Sequence, residues 1–320
     1  MTVVTATASG KIILFGEHAV VYGQPAIAAP VTDVRATVQI SPPTQADSDH
    51  ILFIAPDLGA NYTLDNAPED DALARAVQLT AELYPGSLPP MIITVSSDIP
   101  IASGLGSGAA MAAAMFRALG QFLHLPPLHQ AETICQLTYE IERIHHGTPS
   151  GIDNTVVTYE QPVFFQRQQP TNRIDRLPVG QPLTLLIADT GQRSATKDVV
   201  GDVRRQWEAN PAKFNQLFTQ CGQLTLAAQT AIAHGQQAEL GHLLSQNHAL
   251  LQQMSVSNEA LDRLVAAAAA AGALGAKLSG AGRGGNMIAL VTPTQQTAVQ
   301  DALYQAGATN VIPTTIHPTL

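Results

Sequence analysis

Residues 98–119 read DIPIASGLGSGAAMAAAMFRAL, three glycines interleaved with small residues and followed at once by an alanine-rich stretch. Alanine is the best helix former and glycine one of the poorest, so the segment reads as a flexible turn feeding directly into a helix. Such a turn lets backbone N–H groups point inward with no Cβ in the way. The helix start adds its own unpaired N–H groups and the positive end of its dipole. Together they make a receptacle for an anion, most often a phosphate. The same grain also suits a tight strand-to-helix turn whose glycines serve packing alone. A second segment of this kind, LGAKLSGAGRGG over 274–285, lies in the other half of the chain. Two such loops suggest that both halves close over one polyanionic ligand. Neither is a Walker loop, since no G-x-x-x-x-G-K-[ST] is present. The first does not fit a dinucleotide fingerprint: Gly104-Leu105-Gly106 is followed by Ser107-Gly108-Ala109, so the third glycine is missing.

The surrounding chain limits who the partner can be. The 320 residues are 45% hydrophobic and 13% charged, which suits a compact protein of one large or two ordinary domains. The net charge of −9, with no lysine or arginine run, argues against nucleic acid or an anionic membrane as partner. A bound phosphate must then be held by local groups. The two cysteines, Cys135 and Cys221, form no CxxC pattern, which disfavours a disulfide framework or zinc site and fits a reducing cytosol. The N-terminus lacks the basic start and apolar run of a signal peptide. The most apolar long window, 264–276, is alanine-dominated and too short to span a bilayer. A cytoplasmic location is expected.

Residue patterning gives a mixed order of elements. Strands are expected at 2–8, 11–15, 26–28, 34–40 and 51–54, a helix over 70–84, and a strand at 91–96 leading into the first glycine loop. A helix over 128–145 precedes the turn-rich HGTPSGIDN, with strands at 156–159 and 163–165 beyond it. The aperiodic polar stretch 167–182 marks a domain boundary, giving domains 1–178 and 179–320. In the second, strands at 183–188, 287–291 and 310–314 frame two or three helices over 197–271 and a last helix at 294–306. Without regular βαβ alternation, the fold class is α+β.

Two polar clusters interrupt this pattern. Glu142 closes the predicted 128–145 helix, and Asp153 follows the Pro149-Ser150-Gly151 turn. Phosphoryl transfer needs a metal to neutralise phosphate charge, a positioned hydroxyl and often a base. A helix carboxylate aimed at a phosphate loop can hold Mg²⁺, and a second on a rigid turn can face the hydroxyl. A solvated helix residue and a turn former are the plainer readings. In KIILFGEHAVVYG, Lys11 opens an apolar strand and Gly16-Glu17-His18 breaks it. A Glu–His pair wedged between apolar runs needs partners, which a polar ligand could supply.

The four segments KIILFGEHAVVYGQPAIA, IPIASGLGSGAA, HGTPSGIDN and KLSGAGRGGN, in this order, closely resemble the motifs of the GHMP kinases, and within them those of the mevalonate kinase family. The resemblance spans nearly the whole chain, and GEHAVVYG is its most discriminating part. It implies a two-domain α+β kinase, ribosomal-protein-S5-like in its N-terminal half and ferredoxin-like in its C-terminal half, with the active site in the cleft between them. It implies ATP and Mg²⁺ as cofactors and mevalonate as the small-molecule substrate. Pro100, Ala102, Ser103, Gly104, Leu105, Gly106, Ser107, Gly108, Ala109 and Ala110 would wrap the ATP phosphates, joined by Gly280 and Gly282 from residues 277–285. Glu142 and a loop serine would ligate Mg²⁺. Asp153 would take the proton of the mevalonate 5-hydroxyl beside Lys11, while Glu17, His18, Ser150 and Thr196 would line the substrate site.

Two departures stand out. The usual family loop reads GLGSSA, whereas Gly108 here replaces one serine and leaves Ser107 as the candidate metal ligand. Arg283 stands where glycine is common, and could add charge to the phosphate site or point to solvent. The rival readings are a GHMP kinase acting on phosphomevalonate or a sugar, and a non-catalytic sensor of the same fold. Lys11, Glu142 and Asp153 together argue against the sensor. A phosphorylated acceptor would require a cationic clamp, and no basic cluster adjoins Glu17-His18 in the sequence. The sequence does not separate a monomer from a homodimer.

Overall fold

The computed structural model describes residues 2–43, 49–100, 104–146, 149–169 and 171–318. They form two compact units. The first takes in the chain up to Lys11, the chain from Val34 through the strand at 91–97, and Leu105–Glu160; the second takes in Ile12–Asp33 and the chain from Gln161 onward. Two long strands run through both: β1 (Val4–Phe15) and β2 (Pro25–Ser41). Each was expected as two shorter strands. Gly10 does not break β1. A Cβ there would lie 3.2 Å from the carbonyl oxygen of Leu105, so the glycine lets the phosphate-loop backbone come alongside. Pro30 does not break β2 either, because it falls between the stretch paired with the 163–166 strand and the stretch paired with the 91–97 strand.

In the first unit the hairpin β3 (Ile51–Ala55) and β4 (Ala60–Thr63) precedes α1 (Ala72–Leu83), which Asp71 caps by accepting from the Ala74 N–H at 2.7 Å. β5 (Met91–Ser97) pairs parallel with β3 and antiparallel with β2, giving the order β4-β3-β5-β2. Three helices follow: α2 (Ser107–Phe122), α3 (Ala131–His146) and α4 (Ile152–Tyr159). The alanine-rich α2 packs against α1, α3 and α4, and eleven of its sixteen residues are buried. Small side chains are what let three neighbours approach it. The strand expected at 156–159 is part of α4. Its β-branched valines are outweighed by packing that buries Ile152 and residues 154–158.

The second unit contains β6 (Val163–Gln166) and β7 (Arg173–Arg176), which pair with each other, β6 also pairing with the start of β2. β8 (Leu183–Asp189) leads into α5 (Thr196–Ala209), α6 (Pro211–Ala233), α7 (Gln237–Gln253) and α8 (Glu259–Ala270). β9 (Gly275–Ser279), β10 (Asn286–Val291), α9 (Gln296–Gln305) and β11 (Asn310–Ile316) close the chain. The four strands form an antiparallel sheet in the order β11-β8-β10-β9. Four helices, not two or three, cover 196–270, because α5 and α6 are separated by Asn210 alone, which ends one and caps the other. The segment 274–285 is half strand: its glycine loop is confined to 280–285. Among the described residues no helix is long and apolar enough to cross a membrane.

Candidate active site

In the first unit, β1 carries Lys11 into the interior, where the residue is 8% exposed. Its N–H donates to the Leu105 carbonyl at 2.8 Å, fixing the end of the glycine loop to the strand. Gly106 then turns the chain into α2 with φ +72°. A Cβ on Gly106 would sit 2.7 Å from Lys11 Cγ, so this glycine serves both the left-handed backbone and the passage of the lysine. Gly106 is the α2 N-cap and provides no side-chain cap, leaving the first-turn N–H groups at Ser107, Gly108 and Ala109 oriented as an anion site. The Ala110 N–H is already bonded to Gly106. Gly104 is left-handed at φ +79°, and Pro100 precedes the loop. Ala102 and Ser103 lie outside the described residues.

Lys11 Nζ meets Asp153 Oδ1 at 3.1 Å. Asp153 was expected on a turn and instead occupies the first turn of α4. Gly151 caps that helix at φ +91°, and Ser150 Oγ accepts from the Ile152 N–H at 3.2 Å. Ser150 thereby shapes the helix start that presents Asp153. Glu142, near the end of α3, is 3% exposed, and its carboxyl is pushed up to about 7. Burial is the largest cause, the nearby Asp153 charge adds to it, and Lys11 opposes both. Three separate elements thus converge one ammonium and two carboxylates.

Arg117 of α2 ties these elements together. It donates to the Thr7 carbonyl of β1 at 2.5 Å, to the Thr158 carbonyl of α4 at 2.7 Å and to Glu160 at 3.0 Å. Arg35 donates to Glu160 at 2.6 Å and to Thr7 Oγ1 at 2.9 Å. The sequence reading passed over Arg117, although an arginine inside an otherwise small, apolar helix is itself a signal of a buried acceptor cluster.

The second unit holds the GEH segment. A Cβ on Gly16 (φ +98°) would lie 2.5 Å from Ala26 Cα, so only glycine fits there. Glu17 and His18 are 3% and 6% exposed, and His18 has a positive φ of +58° with ψ −49°. Glu17 finds its partner within the protein: Lys277 of β9, fully buried, pairs with Glu17 Oε1 and donates to the Leu278 carbonyl at 2.6 Å. The sequence places no basic cluster beside Glu17-His18, and the cation that meets Glu17 comes from β9 instead. Lys277 belongs to the KLSGAG motif, and a lysine in an apolar strand was the signal available. His18 Nε2 bonds the Ala281 carbonyl at 2.8 Å, and burial holds the ring pKa down, keeping it neutral.

Gly280 (φ +87°) and Gly282 (φ +86°) flank Ala281, and a Cβ on Gly282 would collide with the Val256 carbonyl. Arg283, left-handed at φ +55°, pairs with Asp202 of α5 and donates to the Ser255 carbonyl at 3.1 Å. It is engaged with protein groups, not directed to bulk solvent. Thr196 is exposed at the first turn of α5, and no hydrogen bond among the described residues links it to Glu17 or His18. Among the described residues, no three His, Cys, Asp or Glu side chains stand close enough to hold a metal by themselves.

Comparison with known proteins places this arrangement. The GHMP kinases N terminal domain family matches residues 71–161, and the GHMP kinases C terminal family matches residues 228–309. The mevalonate kinase of Pyrococcus abyssi is 34% identical over 329 residues, covering 97% of this chain and 94% of its own. The L. major mevalonate kinase, solved in complex with R-mevalonate, superposes with a TM-score of 0.84 at 29% identity, covering 99% of this chain and 96% of that one. The phosphomevalonate kinase of Streptococcus pneumoniae, solved with phosphomevalonate and AMPPNP, shares the fold alone: TM-score 0.77 at 16% identity over 97% and 99% of the two chains. The chain belongs to the GHMP kinases, and among them to the mevalonate kinase family.

Proposed function

We propose that this chain transfers the γ-phosphoryl group of ATP to the 5-hydroxyl of mevalonate, giving 5-phosphomevalonate and ADP, with domains 1–178 and 179–320, in the cytoplasm. The observation that carries this reading is the Lys11–Asp153 contact at 3.1 Å, with buried Glu142 in its electrostatic neighbourhood. Asp153 accepts the hydroxyl proton through its carboxylate. Lys11 neutralises charge as the substrate oxygen becomes nucleophilic, and the rest of catalysis is positioning. The first-turn N–H groups of α2 hold nucleotide phosphate, and Gly280 and Gly282 form a backbone turn of the same kind in the second unit. We assign Glu17, His18, Ser150 and Thr196 to the acceptor substrate.

The residues present fit a magnesium ion. Mg²⁺ commonly takes one or two carboxylates and fills its remaining positions with phosphate oxygens and water, so the absence of a three-residue cluster is no obstacle. A buried carboxyl raised to about 7 beside a second carboxylate is a place where a cation is favoured. Glu142, with the Ser107 hydroxyl, would hold the ion. When bound, it would neutralise phosphate charge.

Release of ADP, measured with mevalonate, phosphomevalonate, galactose and homoserine in turn, tests the reading. Mevalonate is expected to give a kcat/KM at least about tenfold above phosphomevalonate, roughly 1.4 kcal/mol of discrimination. Faster turnover of phosphomevalonate or a sugar would overturn it.

A further inference from the structure

Lys277 and Ser279, two apart in β9, send their side chains to the same face, and Ala281 follows the turn at Gly280 (φ +87°). All three positions reach the segment 13–18. Lys277 pairs with Glu17, Ser279 Oγ donates to the Ile13 carbonyl at 2.7 Å, and the Ala281 carbonyl accepts from His18 Nε2 at 2.8 Å. The segment they clasp contains a non-glycine residue at positive φ, His18 (φ +58°, ψ −49°). Such a backbone is strained and persists only where its surroundings over-determine it. The KLSGA stretch therefore has work beyond a phosphate turn.

The ion pair is sealed, its side chains being 0% and 1% exposed. A buried pair of this kind is often no more stable than apolar residues of the same volume, so packing alone does not account for it. Cys221 of α6 lies in its electrostatic neighbourhood but adds no charge, since burial pushes its thiol to about 12. What the pair leaves over is informative. Lys277 takes Glu17 Oε1, and Glu17 Oε2 is buried with no hydrogen-bond partner among the described residues. The Ala281 carbonyl can only accept, so the neutral His18 ring carries its proton on Nε2. Its Nδ1 is then a bare acceptor, also buried and unpartnered among the described residues. Each of the two adjacent residues thus leaves one acceptor atom over, the complement of a hydroxyl, while the donors around the carboxylate, Lys277 and the Gly280 backbone N–H, are already spent on Glu17 and leave nothing for a phosphate.

We propose that Lys277 is a positioning residue for the acceptor substrate, holding the Glu17 carboxylate so that Glu17 Oε2 and His18 Nδ1 select a hydroxyl-bearing, non-phosphorylated acceptor. The proposal rests on the placement of Glu17 and His18 at the mevalonate site given above. The test is a double-mutant cycle of Glu17→Gln, Lys277→Met and the two combined, with kcat, both KM values and Tm measured for each. Lys277→Met is expected to raise the mevalonate KM about tenfold while the ATP KM stays within about twofold. The combined variant should be no worse than Lys277→Met in mevalonate KM, since the two residues act as one unit. Its Tm should equal or exceed that of Lys277→Met, while the mevalonate KM remains raised. An unchanged mevalonate KM, single effects that multiply in the combined variant, or parallel loss of ATP and mevalonate affinity with falling Tm would each overturn the proposal. If Lys277→Met does not accumulate as folded protein, Lys277→Gln, which keeps a donor, is judged by the same outcomes. The wild-type protein separates the two claims. No turnover of mevalonate by the wild type defeats the functional reading and the proposal with it, whereas normal turnover with an unmoved KM in the variants defeats only the proposal.

Discussion

Two lysine–carboxylate contacts lie in the two units, and they are built differently. Lys11 and Asp153 sit at 3.1 Å with side chains 10% and 27% exposed, and a second carboxylate, Glu142, crowds them. Glu17 and Lys277 are sealed from solvent, with a neutral histidine and an un-ionised thiol for company. A group that exchanges a proton with substrate has to be reachable and surrounded by adjustable charge. A group that holds another in place does better with neither. The contrast assigns chemistry to the first contact and positioning to the second.

The contrast breaks most visibly at Asp153. Asparagine keeps the shape of the first turn of α4 and cannot take a proton. Loss of a positioned base lowers rates on the order of 10²- to 10⁴-fold, and steady-state kcat of Asp153→Asn should fall by that much with ATP affinity and Tm little changed. A misfolded variant would mean that Asp153 serves the helix start and not the reaction.

Glu142 sharpens the same side of the comparison. Glu142→Gln should raise the Mg²⁺ requirement and lower kcat, with titration of activity against free Mg²⁺ as the readout. It also carries a stability signature. The folded carboxyl titrates near 7 against an ordinary 4.5, so between those values the folded protein keeps a proton that the unfolded chain has lost. That contribution is fully present below pH 4.5 and lost as pH rises through 7, about 3 kcal/mol in all. Tm of the metal- and nucleotide-free protein should therefore drop between pH 5 and pH 8, and Glu142→Gln should flatten the drop. An identical pH slope in both proteins would contradict the buried, charge-crowded environment.

Smaller effects are expected at the glycine loop. In Gly106→Ala the new Cβ meets Lys11 Cγ at 2.7 Å on a left-handed backbone, costing about 1–3 kcal/mol of stability and displacing Lys11 from Asp153. Chemical denaturation and kcat should both register it. The mildest change is Ser107→Ala, since water can replace a hydroxyl on Mg²⁺. Gly108→Ser, which restores the common family loop, should partly rescue it, and an activity of Ser107→Ala equal to wild type would remove Ser107 from the metal site.

Much of the first contact was legible in the sequence, because its members sit in local motifs: a lysine opening an apolar run, a carboxylate after Pro-Ser-Gly, a glutamate near a helix end. The local structure around them was less legible. Gly151 and its left-handed cap read as a turn, yet they start α4, an eight-residue helix whose valines look like a strand until tertiary packing buries them. The second contact was half legible. Glu17 announced that it needed a partner, but Lys277 lies 260 residues away, and no periodicity connects residues that only the sheet and its following loop bring together. Arg117 escaped for the same reason, since its acceptors are backbone carbonyls of β1 and α4.

The division of labour is tested most directly by single-turnover phosphoryl transfer at saturating ATP and mevalonate, with Asp153→Asn and Lys277→Met measured side by side. Saturation removes differences in binding and leaves the chemical step. The rate for Asp153→Asn should fall at least about a hundredfold, while Lys277→Met should stay within about threefold of wild type. Equal losses in the two variants, or Asp153→Asn retaining more than about a tenth of the wild-type rate, would contradict the account.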